Sequence, residues 1–107
     1  MGLDATVYSD ANCEAAVHHE RLGNIALIHH TRGCLARNVA IFQILLNRAV
    51  YNGIHGGDSI GVCDVPALRK ELLHICAPDF DEATLHFASQ MLALCDTSER
   101  TGNPIVF

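Results

Sequence analysis

Two adjacent histidine pairs, five cysteines and a glycine-bracketed His-x-x-Asp are the parts of this chain whose types and spacing can do chemistry. His30 and Cys34 stand four residues apart, with His29 beside them. On a helix, positions four apart face the same way, so this spacing is half of a zinc site. A structural zinc takes four ligands and a catalytic zinc three from protein, so His18, His19 or Cys13 would have to fold back. The close C-x2-C and H-E-x-x-H spacings are absent, and unliganded histidines on a helix surface are the plainer reading.

The segment Tyr51-Asn52-Gly53-Ile54-His55-Gly56-Gly57-Asp58-Ser59 has its own character. Its glycines let backbone come close to a ligand or another chain. Asp58 can hold the tautomer of His55, as a general base requires, with Asp4 a possible neighbour from the first strand. Ser59 and Cys63 are the nearby nucleophile types, but G-x-S-x-G, the P-loop and GxGxxG patterns are all missing. The simpler role is that His55 and Asp58 hydrogen-bond their own loop and fix the link between two helices. His18-His19-Glu20-Arg21 has the wrong order for a zincin and reads as a solvated polar stretch.

These residues need elements to position them. Leu3–Tyr8 alternates and reads as a strand, Glu14–Glu20 as strand or helical turn, and Gly23-Asn24 as a break. Residues 24–51 carry a helical apolar pattern that Asn24 caps. Gly33 and Asn38 predict a break near Thr31–Asn38, leaving an apolar second helix at the centre of the core. Asp64 and Pro66 open the next helix as cap and first-turn proline, with Val65, Leu68, Leu72, Ile75 and Cys76 inward. Asp79 and Glu82 form a D-x-x-E start for the last helix, whose stripe is Phe80, Ala83, Phe87, Met91 and Leu94. Gly102 ends it, and the tail Asn103–Phe107 is extended and pairs with Leu3–Tyr8. The expected fold is a single α+β domain over 1–107, mostly α. About four helices surround Val39–Val50, with a small sheet from the two chain ends.

At 107 residues and 11.6 kDa the chain has room for one core. Half the residues are hydrophobic and 18% are charged, which excludes a disordered chain. Seven Lys and Arg against twelve Asp and Glu leave a net −5, which disfavours nucleic acid and suits a basic protein partner. A winged-helix reading fails for the same reason, since its recognition helix would begin Asp79-Phe80-Asp81-Glu82. Protonating all seven histidines would carry the formal charge from −5 to +2. Met1–Asp10 has neither the basic start nor the apolar core of a secretory signal. No apolar run approaches a membrane span. An odd cysteine number without CxxC, and Cys76 and Cys95 within apolar patterns, fit a reduced cytoplasmic protein.

The start Met1-Gly2-Leu3-Asp4-Ala5-Thr6-Val7-Tyr8, the centre Tyr51-x-Gly53-x-His55-x-Gly57-Asp58 and the end Gly102–Phe107 resemble a family of small uncharacterised bacterial proteins. That resemblance implies no activity. Residues 38–75, with LLNRAVYNG before a polar loop and a following helix, are similar to some immunity proteins of polymorphic-toxin systems. That similarity implies a protein that blocks one cognate toxin. The first functional reading is therefore a protein-binding module, an immunity-type inhibitor of a basic toxin or another regulatory partner. Its surface would include Tyr51, His55, Gly56, Gly57, Asp58, Asp79, Asp81 and Glu82. The second is a small enzyme or metal-binding protein. It would use the loop 52–63 with His55, Asp58 and Asp4, or hold zinc at His29, His30 and Cys34. A homodimer sharing the Ile41–Val50 face is a third expectation.

Overall fold

The computed structural model describes residues 2–9, 15–49, 59–75 and 79–107. Strand β1 (Gly2–Tyr8) pairs antiparallel with β2 (Ala16–Asn24), while the short strands β3 (Ser59–Ile60) and β4 (Ile105–Val106) complete an antiparallel sheet in the order β2-β1-β4-β3. The alternation of β1 buries Leu3, Ala5 and Val7 and exposes Asp4, as its pattern predicts. The segment left open between strand and helical turn is a strand because Val7 and Thr6 pair with His18 and His19. Its polar stretch is only partly solvated: His19 and Arg21 are exposed, but His18 turns inward and its Nδ1 lies 2.7 Å from the Thr97 hydroxyl.

β2 passes directly into helix α1 (Ile25–Leu35). Gly23 sits at φ 145° there, and a Cβ would lie 2.6 Å from Leu27 Cδ2, so this junction requires glycine. Asn24 caps the helix, its Oδ1 accepting from the Leu27 N–H at 2.9 Å. The long helical pattern then breaks where expected. A 3-10 turn covers Ala36–Asn38, and the Asn38 carbonyl accepts the N–H groups of Ile41 and Phe42. Helical structure resumes and ends in a π-helical turn, Leu45–Ala49. This segment sends Phe42, Leu45 and Ala49 into the core, but Val39 is 59% exposed, because the turn after Asn38 carries it away from the interior. Of the face expected to be shared in a dimer, Phe42, Leu45 and Ala49 lie in the chain's own core, and Ile41, Ile44 and Leu46 are partly buried against it.

Helix α2 (Val65–Leu73) starts with Pro66 in its first turn. Asp64 occupies the cap position without a cap hydrogen bond, since its carboxylate pairs with Arg48 at 2.8 Å. The cap of helix α3 (Glu82–Thr101) lies two residues later than the D-x-x-E pattern places it. Its cap is Asp81, not Asp79, because Asp81 already accepts the Thr84 hydroxyl. Phe87, Met91, Leu94 and Cys95 of α3 are buried, and Gly102 ends the helix at φ 76°. Asn103 then donates to the Tyr8 carbonyl at 2.8 Å and steers the tail onto β1, where Val106 and Ile105 pair with Thr6 and Val7.

One hydrophobic cluster joins both sheet and helices, and the fold is α+β, mostly α. The accessible surface of 5922 Å² matches the roughly 5,800 Å² expected of a folded chain this size. Among the described residues no helix is long and apolar enough to cross a membrane. The buried carboxylate of Glu71 accepts the N–H groups of Ile44 and Leu45 at 2.9 and 3.0 Å, tying the broken helical segment to α2. Glu71→Ala leaves both donors unpaired and should cost about 2–3 kcal/mol, with Glu71→Gln losing less. Urea unfolding of the two variants checks the order, and an Ala variant as stable as the parent would refute this role.

Candidate metal centre

Helix α1 presents His30 and Cys34 on one face, one turn apart, as their spacing predicts. The start of α3 lies against that face and delivers Asp81. His30 Nε2 is 2.7 Å from Asp81 Oδ2, and Cys34 Sγ is 3.7 Å from the same nitrogen. The three ligand atoms all lie within 4.8 Å of one another. Cys34 is buried, while His30 and Asp81 are about half exposed at their side chains, at 51% and 44%.

Two chemistries use Cys, His and Asp together, and the geometry separates them. A nucleophilic relay needs cysteine on one imidazole nitrogen and carboxylate on the other. Here both approach Nε2, so the arrangement is not a relay. Chelation needs the reverse, with all donors converging on one point. Zinc bond lengths imply ligand separations of about 3.6 Å for S···N and about 3.3 Å for N···O in a tetrahedron. The 3.7 Å S···N separation already suits this, the 2.7 Å N···O pair needs to open by about half an ångström, and Cys34 Sγ and the Asp81 carboxylate, within 4.8 Å, need to settle at about 3.6 Å.

The Thr84 hydroxyl, donating to Asp81 Oδ1 at 2.5 Å, and then His30 hold the Asp81 carboxyl below its ordinary value near 3.8. Asp81 also caps α3, where the helix end favours an anion. A folded-state pKa below the unfolded one contributes stability above the unfolded value, lost as pH falls through the folded value. Elsewhere, burial pushes the Cys95 thiol up to about 12 and leaves it a neutral apolar filler.

The remaining candidates disperse. His29 is exposed on α1 and outside the triad. His18 is bound to Thr97 and lies 3.5 Å from Glu20, while His19 faces Asp4 at 3.7 Å, so neither folds back to the zinc half-site. Asp81 is the residue that comes within reach of His30 and Cys34. Asp4 is engaged across the β1–β2 ladder. Tyr51, His55, Gly56, Gly57 and Asp58 lie outside the described residues, as do Cys13 and Cys76. Ser59 belongs to β3, where its carbonyl accepts from Arg48 at 2.9 Å, and Cys63 is exposed on the following 3-10 turn. Asp79 and Glu82 are exposed on either side of Asp81. The sequence pattern places Asp81 on a binding surface and not among metal ligands. Its partner is 51 residues away, and no local pattern encodes that distance.

No protein-family model, curated protein or solved structure matches the chain.

Thr84→Val removes the first cause of the depressed Asp81 pKa at nearly constant shape. The Asp81 titration followed by carboxyl NMR should move back toward 3.8. An unmoved titration would show that Thr84 does not hold this carboxylate.

Proposed function

We propose that this protein binds a thiophilic divalent metal ion, zinc foremost, through His30 Nε2, Cys34 Sγ and the Asp81 carboxylate. The observation that carries the reading is the convergence of three different donor atoms within 4.8 Å, from two helices distant in sequence. A thiolate with imidazole selects zinc-like ions over calcium or magnesium, which prefer oxygen donors. The metal takes the place of the proton shared by His30 and Asp81, and Cys34 binds as thiolate, so uptake releases protons and weakens in acid. Among the described residues three ligands converge, and a zinc held by three protein ligands is the pattern of reactive rather than structural zinc. Such an ion supplies Lewis acidity and, with bound water, a hydroxide near neutral pH. The Thr84 hydroxyl engages Asp81 Oδ1 and leaves Oδ2 facing His30. The reading requires reduced Cys34, which fits a cytoplasmic setting.

The test is metal content and calorimetry on the full chain. One zinc per chain is expected, with uptake abolished by Cys34→Ser and His30→Ala and weakened at least about tenfold by Asp81→Asn. Zinc at a hundred times its Kd should add about 2.7 kcal/mol of stability. Equal zinc uptake by the Cys34→Ser variant would sink the assignment.

A second reading, a protein-binding module of the inhibitor kind, is supported by the outer edge of β2. Among the described residues no strand pairs with that edge, and Val17 on it is 44% exposed. An open edge takes an added strand, and the net −5 suits a basic partner. This reading expects one stoichiometric basic protein in a tagged pull-down from the source cell, weakened by moderate salt. An empty pull-down at low salt removes it.

A further inference from the structure

Cys34 belongs to a second feature besides the metal triad. It lines a groove of about 440 Å³ between the end of α1 and the segment that leads into α3. The floor is apolar, made by Ile41, Phe42 and Phe80, and the two rings meet edge to face with centroids 6.0 Å apart. The rim is polar and carries cationic and titratable groups, Arg37 and His74, with the exposed carboxylate of Asp79 among them. Arg37 makes no ion pair with any described residue, unlike Arg48 and Arg69, which are each held by carboxylates. The groove's volume is in the range that holds a small organic molecule.

An apolar floor, a guanidinium without an ion pair among the described residues, and the three-donor metal site that adjoins the groove through Cys34 together define a ligand class. We propose that the groove takes a small aromatic or aliphatic monocarboxylate. Its apolar body rests on Phe42 and Phe80, and its carboxylate is shared between Arg37 and the metal. This rests on the metal reading above. Arg37 supplies planar, two-pronged recognition of a carboxylate, and the metal supplies the second charge. Asp79 repels a second acidic group on the rim, so monoanions are preferred to dianions.

Cobalt(II) and benzoate test the proposal on the full chain, because cobalt reports its ligands by visible absorption. Cobalt should give a thiolate charge-transfer band that Cys34→Ser abolishes. Benzoate should then change the cobalt ligand-field bands saturably, while neutral benzamide leaves them unmoved. Arg37→Gln, a change on an exposed turn, should weaken benzoate about tenfold with the thiolate band intact. Phe80→Ala should weaken it similarly without altering cobalt uptake.

A missing thiolate band overturns the metal reading and this inference with it. A normal thiolate band that benzoate leaves unchanged overturns the inference alone. Equal responses to benzoate and benzamide, full benzoate affinity in Arg37→Gln, or an equal response to inorganic phosphate would each overturn the monocarboxylate assignment.

Discussion

The pairing of the chain's last strand with its first is the constraint on which the remaining arrangement depends. Ile105 and Val106 must reach Val7 and Thr6, and only three residues separate β4 from the end of α3. Gly102 makes this possible by turning left-handed, and Ser98 and Asn103 hold the turn through bonds to the Asn103 and Tyr8 carbonyls. The C-terminal end of α3 is thereby pinned to the sheet. A helix of twenty residues is about 30 Å long, so its start must emerge far from that anchor. It emerges against α1, and there Asp81 meets His30.

The other half of the candidate centre is set by a different junction. β2 runs into α1 without a loop, because Gly23 adopts a conformation closed to other residues and Asn24 caps the first turn. That connection fixes where α1 leaves the sheet and which face it turns to α3. Glu71 then holds the broken segment after α1 in place, and with it Phe42, whose ring meets Phe80 to floor the groove. The triad and the groove are thus products of three separate anchors: a glycine junction, a buried carboxylate and a terminal strand. Each side chain is ordinary alone. His30 and Asp81 are half exposed, and an exposed His–Asp contact contributes little to stability, so their geometry follows from the anchors and does not create them.

Much of the local structure was legible in the residue pattern. The first strand, the Asn24 cap, the break before Asn38, the proline-started α2, the Gly102 stop and the terminal pairing are all written in short-range chemistry. Three local readings shifted. The α3 cap moved from Asp79 to Asp81 because the Thr84 hydroxyl selects the nearer carboxylate, and Asp64 gave up capping for Arg48. Val39 left the core because a break tells where a helix stops and not which way the chain turns afterwards. The His30–Cys34 half of the candidate site was also legible, since helical periodicity alone aligns residues four apart.

What only the tertiary structure decided is the third donor and the groove. His18 and His19 were as plausible as partners in the sequence, and the sheet register sends them to Thr97 and Asp4 instead. Asp81 reads locally as a capping residue, and nothing within one turn of it marks its proximity to His30. The sequence by itself determined the element types, the α+β class and the alignment of His30 with Cys34 on α1, because hydrogen-bond periodicity and capping act within a few residues. The meeting of α1, α3 and the Phe42 segment was decided by burying one shared core, a constraint that operates between residues dozens of positions apart.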